Sequence, residues 1–185
     1  MVGVITCAII VVVLYFMGTY NQLISLKNGV QNGFAQIDTQ LKRRFDLIPN
    51  LIECLKAYTN YEEGILTKIA EVRSKMAGTS TIKDKENVLA ELDGALKQVN
   101  VSVEAYPELK ANENFMMVQK ELTLTENKIA YARQFYNDSV TRYNNVISMI
   151  PSNFIATICG FKKEVLFEAK GYERENVNVE SKFSN

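Results

Sequence analysis

The sequence predicts an all-α protein in which an N-terminal transmembrane helix continues into an antiparallel up-and-down four-helix bundle. Three observations carry that prediction. Val2 to Tyr20 hold no charged side chain, apolar residues then recur at steps of three and four, and only 3 prolines and 9 glycines punctuate 185 residues.

The apolar run centres on Val4, Ile5, Ile9, Ile10, Val11, Val12, Val13 and Leu14. About 19 residues at a helical rise reach roughly 28 Å, close to the hydrocarbon thickness of a bilayer. Tyr15, Phe16 and Tyr20 sit at its downstream edge, where interfacial aromatics belong. A cleaved signal peptide fits less well, because no Lys or Arg precedes the run and no small-x-small site ends it. Cys7 comes before the main apolar run, the wrong order for a lipoprotein anchor. Lys27, Lys42, Arg43 and Arg44 all follow the span, so the positive-inside rule predicts a single pass through the inner (cytoplasmic) membrane. The N-terminus is expected outside and the body in the cytoplasm. Cys7, Cys54 and Cys159, odd in number and far apart, agree with a reducing compartment.

After the anchor, one apolar stripe runs through Leu23, Val30, Phe34, Ile37, Leu41, Phe45, Ile48, Ile52 and Leu55, and continues at Ile65, Ile69, Val72 and Met76. As one helix, residues 22–76 would span about 82 Å, against about 39 Å for the helix that follows. A break near Phe45 and Asp46 therefore fits better, with Asp46 capping a new helix that carries Pro49 in its first turn. Gly78-Thr79-Ser80 punctuate the chain, and Thr81 with Asp84 makes a capping start. Leu89, Leu92, Leu96, Val99, Val103 and Tyr106 follow at the spacing of a coiled-coil-like bundle seam. Pro107 ends that helix, and Asn112 caps the next. Phe115, Val118, Leu122, Ile129, Ala132, Tyr136, Val140, Tyr143 and Ile147 form its inner face before Pro151. Asn153 to Ile158 read as a short helix stopped by Gly160, and Glu164 to Phe167 as a packed segment, strand-like or helical. The expected divisions are an anchor at 1–21, the bundle at 22–168 and a polar, mobile tail at 169–185.

Composition narrows the chemistry. Lys+Arg and Asp+Glu both number 21, so no bulk field favours nucleic acid, and no aromatic-basic interleaving marks a nucleic-acid surface. Histidine is absent, which removes imidazole bases, His-containing triads and His metal sites. No catalytic, cofactor or metal site is expected, and the protein is not expected to be an enzyme.

The string from Gln36 to Leu51, with Gln40-Leu41-Lys42-Arg43-Arg44-Phe45-Asp46-Leu47-Ile48-Pro49-Asn50 at its heart, resembles the signature of the LemA family of bacterial membrane proteins. The resemblance continues at Tyr106 to Asn112, at Thr125 to Ala130, at Tyr136-Asn137-Asp138 and at Tyr143-Asn144. It covers the chain from about Tyr20 to Phe167. It implies a transmembrane N-terminus, a cytoplasmic bundle of four long helices and no particular reaction; membrane organisation or biogenesis is suggested for some relatives. Two departures stand out. Phe45 and Tyr61, the latter before Glu62, occupy positions where the family usually has histidine, so no role through those histidines operates here. The tail segment Val177-Asn178-Val179-Glu180 lacks the proline expected there.

The polar positions read as structure first. Lys42-Arg43-Arg44, with Asp46, start about 33 Å from the membrane edge on a straight helix, beyond a Debye length of about 8 Å, which favours interhelical pairing over lipid contact. Glu126 and Arg133 read as satisfying polar groups and fixing helix register, Asn50, Asn112, Asn127, Asn137 and Asn144 as caps and interhelical hydrogen bonds, and Tyr136 as a further polar contact of the bundle. An acid/base or di-metal role for Glu121 and Glu126, beside Lys128 and Arg133, lacks the histidines that bundle metal sites use. Tyr58, Tyr61, Tyr131, Tyr136 and Tyr143 read as core aromatics with bonded hydroxyls. The expected partners are the lipid bilayer, through the N-terminal helix, and other proteins or further copies, through the bundle. The expected function is a membrane-anchored scaffold or adaptor in membrane organisation. The alternative is a self-assembling subunit of a membrane-derived or extracellular filament.

Overall fold

The computed structural model describes residues 1–57, 63–76, 78–79 and 81–167. Tyr58, Tyr61, Glu62, Ser80 and the tail at 169–185 lie outside the described residues, as does the side chain of Ile65. The described residues form helices and no strand. The helices are α1 Val2–Asp46, α2 Ile48–Lys56, α3 Glu63–Met76, α4 Ile82–Val103, α5 Pro107–Lys110, α6 Glu113–Ser148 and α7 Ser152–Ile158. An apolar N-terminal helix followed by helices consistent with a bundle is the fold class the periodicity predicts.

The chain folds as two compact units. Among the described residues, Met1–Arg43 and Leu124–Leu166 make the first, and those of Arg44–Thr123 with Phe167 make the second.

In the second unit the core is built from Phe45, Ile48, Leu51 and Leu55, from Ile69 and Val72, from Val88, Leu92, Ala95, Val99 and Val103, and from Leu109, Phe115, Val118 and Leu122. Complete burial of a side chain such as Leu51 or Leu92 contributes roughly 1.5–3 kcal/mol. Thr81 caps α4 as its sequence predicts: its hydroxyl accepts from the Asp84 amide at 3.1 Å. Asn112 caps α6 likewise, its Oδ1 accepting from the Phe115 amide at 3.1 Å. A single extra turn, α5, forms where Pro107 sets the φ of a first helical residue.

The break beside Asp46 and the place of Pro49 in the first turn of α2 are as the sequence predicts, but the expected cap does not form. The helical ladder is interrupted at Leu47 alone, which keeps right-handed torsions of φ −80 and ψ −18 and supplies no side-chain cap. The Leu51 amide still reaches the Leu47 carbonyl at 3.1 Å. Asp46 is exposed and caps nothing at this junction, and the helical backbone runs on to Lys56. Proline removes one donor, the one that would serve the Phe45 carbonyl.

In the first unit α1 and α6 lie close together around Gly33. A Cβ added at Gly33 would stand 3.0 Å from the Tyr136 Cα and 3.3 Å from the Phe135 ring. Only a residue without a side chain permits that approach. The buried face of α1 here is Thr19, Leu23, Val30, Gly33, Ile37 and Leu41. That of α6 is Thr125, Ile129, Ala132, Tyr136, Val140 and Tyr143. Residues 1–18 are all exposed. The apolar run forms the only described helix long and apolar enough to cross a membrane.

Candidate functional site

Two places gather polar side chains, one in each unit. In the second unit a cleft of about 390 Å³ is lined by Asn50, Glu53, Cys54, Ala57, Asn112, Asn114, Met117 and Val118. Asn50 follows Pro49 in the first turn of α2, and Asn112 lies between α5 and α6, so the cleft draws on both motif strings. Its chemistry is limited. Burial, and then the charge of Glu53, push the Cys54 thiol above its ordinary range, with its own backbone hydrogen bond opposing. A thiol held protonated is a poor nucleophile. Glu53 is the one carboxylate in the lining. Among the described residues no group of three His, Cys, Asp or Glu side chains is placed to hold a metal ion.

Beside the core of the same unit, Arg44 is 5% exposed and its Nη2 donates to Asp93 Oδ1 of α4 at 2.6 Å. Lys85 is also buried, one turn before Leu89 on the α4 stripe. Extending that stripe backwards by four residues lands on Lys85, and Asp93 directly follows core Leu92, so both could have been found from the periodicity. Arg43 is exposed and engages a partner.

In the first unit, polar side chains hold a non-helical strap. α7 ends in a motif closed by Gly160 at φ +73: the Phe161 amide donates to Ala156 and the Gly160 amide to Thr157. The chain then continues without helix or strand from Phe161 to Phe167, with Lys162 and Lys163 exposed. Asn144 grips the strap at both backbone groups of Glu164. Its Nδ2 donates to the carbonyl at 2.8 Å and its Oδ1 accepts from the amide at 3.0 Å. The Tyr136 hydroxyl donates to the Val165 carbonyl at 2.8 Å. Phe161 packs edge-on against Tyr20 with centroids 5.9 Å apart, and Lys27 Nζ stands 5.9 Å from the same ring. Tyr143 is fully buried. Desolvation, then the Glu164 charge, raise its phenol above the ordinary value.

Of the remaining sequence-predicted positions, Glu126, Arg133 and Asn137 are half-buried and each engages a partner, while Asn127 lies on the exposed face of α6. Val4, Ile5, Ile9, Ile10, Val11, Val12, Val13 and Leu14 are all exposed along α1. What the sequence does not reveal is the strap: Asn144 and Tyr136 read as contacts between helices, yet both bond backbone groups of a non-helical segment. No local pattern marks such a partner.

A sequence model of the LemA family matches residues 33–181, most of the chain. The chain belongs to the LemA family. This LemA-family chain is 27% identical over 165 residues to Protein LemA of Metamycoplasma hominis, covering 89% of the chain and 75% of the relative. It is 24% identical over 177 residues to the magnetosome protein MamQ of Magnetospirillum gryphiswaldense and 23% identical to magnetosome protein MamQ 1 of Paramagnetospirillum magneticum. Both of those matches cover 82% of this chain and 65% of the relative, so it spans less than two thirds of their length. Membership and the apolar α1 together make it a membrane-associated LemA protein.

Proposed function

We propose that the protein is a single-pass membrane-anchored scaffold or adaptor in membrane organisation, without enzymatic activity. One observation carries this reading: a wholly exposed apolar helix of membrane-spanning length runs without interruption into a folded helical body. The missing basic n-region and small-x-small site, with α1 helical through Asp46 and packed along one face from Thr19 onward, favour a retained anchor over a cleaved signal peptide. The polar groups described above support backbone and register, and the cleft offers a lone carboxylate with a deactivated thiol. Two relatives bear the name of magnetosome proteins, which fits work on a membrane.

The topology we propose has the N-terminus outside and the helical body in the cytoplasm, at the inner membrane. Lys27, Lys42, Arg43 and Arg44 on the body side of the span support it. Protease treatment of spheroplasts tests the orientation, and a body digested from outside would reverse it. Crosslinking in membranes followed by purification tests the scaffold role. A defined partner or oligomer is expected, and a solitary monomer under every condition would defeat the reading. Ordered polymers in detergent extracts would instead make the protein a filament subunit assembled through α1.

A further inference from the structure

We infer that the elbow joining α6 to α7 is a second membrane contact, resting its exposed apolar side chains in the interface of the bilayer that α1 crosses; this rests on the anchor reading above. The register of the first unit supports it. Gly33 and Tyr136 mark one level. From there to Tyr20 along α1, and to Met149 along α6, the helices each advance 13 residues, or about 20 Å. The end of α6 therefore stands level with Tyr20, where the apolar run closes. The Phe161–Tyr20 contact fixes the return from α7 at the same level. Burial begins at Thr19, so no spacer separates the folded body from the span.

The elbow has the surface such a position needs. α7 buries Ser152, Ile155 and Ala156 and presents Phe154 and Ile158, one turn apart, on its other side. Ile150 is 80% exposed and Ile158 77%, with Met149 and Phe154 also exposed. Grouped large apolar side chains in water are unfavourable, and the headgroup–acyl boundary accommodates them. Lys162 and Lys163, exposed just past α7, suit the phosphates of the same leaflet. The Ser152 hydroxyl, donating to Val146 at 2.6 Å and to Met149 at 2.9 Å, holds α7 folded against the end of α6.

The chain contains no tryptophan, so single tryptophans report cleanly. Full-length Phe154→Trp, Phe16→Trp and Tyr131→Trp proteins are placed in nanodiscs made with or without brominated lipid. Tyr131 lies on α6 about 27 Å before Met149 and serves as the distal control. Bromine should remove more than half the emission of Phe16→Trp and Phe154→Trp and leave Tyr131→Trp unchanged. Quenching of Phe16→Trp alone would overturn the elbow contact while the anchor stands. An emission of Phe154→Trp that is blue-shifted but unquenched would overturn it in favour of a protein covering the patch. If Phe16→Trp were itself unquenched, the anchor would fall and the elbow contact with it. Ile158→Trp repeats the elbow measurement at a second exposed position.

Discussion

Replacing Asn144 by Ala removes both hydrogen bonds that fasten the strap at Glu164. Neither the amide nor the carbonyl of Glu164 has another bond of that kind to take over once the strap lifts, except to water. Each bond contributes about 1 kcal/mol net, so the docked strap should lose about 2 kcal/mol relative to the undocked one. At about 1.4 kcal/mol per tenfold, the undocked population rises roughly 30-fold. Lys162 and Lys163 supply tryptic sites within the strap, and cleavage follows the open population when opening is fast relative to cutting. Cleavage at these lysines and exchange of the Glu164 amide should therefore accelerate together by that factor. Tyr136→Phe removes one bond, to Val165, and should give roughly a fivefold change, about 1 kcal/mol. Changes below about threefold in the Asn144 variant, or equal acceleration at sites in α4, would refute a locally held strap.

Three further outcomes follow from named contacts. Asp93→Ala leaves the buried Arg44 guanidinium without its 2.6 Å partner and should cost about 3 kcal/mol in urea unfolding, while Arg44→Met with Asp93→Leu should recover most of it. A single-variant loss under about 1 kcal/mol would show that solvent screens the pair. Gly33→Val drives a side chain against the Tyr136 backbone and should cost about 1–3 kcal/mol, whereas Gly29→Ala, with no atom within 4 Å, should gain about 0.5–1 kcal/mol; equal effects would refute the close approach. The raised phenol of Tyr143 is protonated in the folded state where the unfolded chain ionises, so its stability contribution is complete below about pH 10 and lost as pH rises through the folded value. Tyr143→Phe, which removes a buried hydroxyl lacking a hydrogen-bond partner, should flatten that alkaline decline in thermal melts and leave neutral-pH stability unchanged or higher.

Local chemistry was legible where it is local. Thr81 and Asn112 cap their helices because a short oxygen-bearing side chain meets an orphan amide three residues on, and that relation is visible in the sequence. Gly160 likewise ends α7 as the only residue type at ease with φ +73. Pro49 was harder, since a proline in an apolar stripe fits either a reversing turn or a first-turn proline in a continuing helix. Comparing helix lengths favours a break near Asp46, and the ladder is interrupted there, at Leu47; what the sequence does not foretell is that Leu47 keeps right-handed torsions and that Asp46 supplies no cap. The stripe of α6 skipped from Leu122 to Ile129 in the sequence, and the structure fills the gap with buried Thr125, a polar residue that apolar periodicity passes over. The cleft and the strap lay beyond reach for another reason: each joins residues far apart in the chain, and no spacing rule relates Asn144 to Glu164 or Asn50 to Asn112.

Removal of residues 1–18 isolates what the apolar run contributes. None of these residues is buried against the rest of the protein, so the body loses no packing when they are deleted. Between Val2 and Phe16 stand ten Val, Ile, Leu and Phe side chains. At roughly 0.3–0.6 kcal/mol each near a bilayer centre, they favour insertion by about 3–6 kcal/mol. In water the same side chains are an unsatisfied surface that only lipid, detergent or another copy can cover. The truncated protein should therefore be soluble without detergent, with a urea midpoint equal to that of the full chain in detergent micelles. A truncated body that aggregates or unfolds would mean that the run packs on the fold, contrary to its complete exposure. A truncated body that still co-sediments quantitatively with anionic vesicles would show the elbow and its lysines binding lipid on their own. That is more than one short apolar helix is expected to achieve, because stable membrane attachment ordinarily takes two signals acting together.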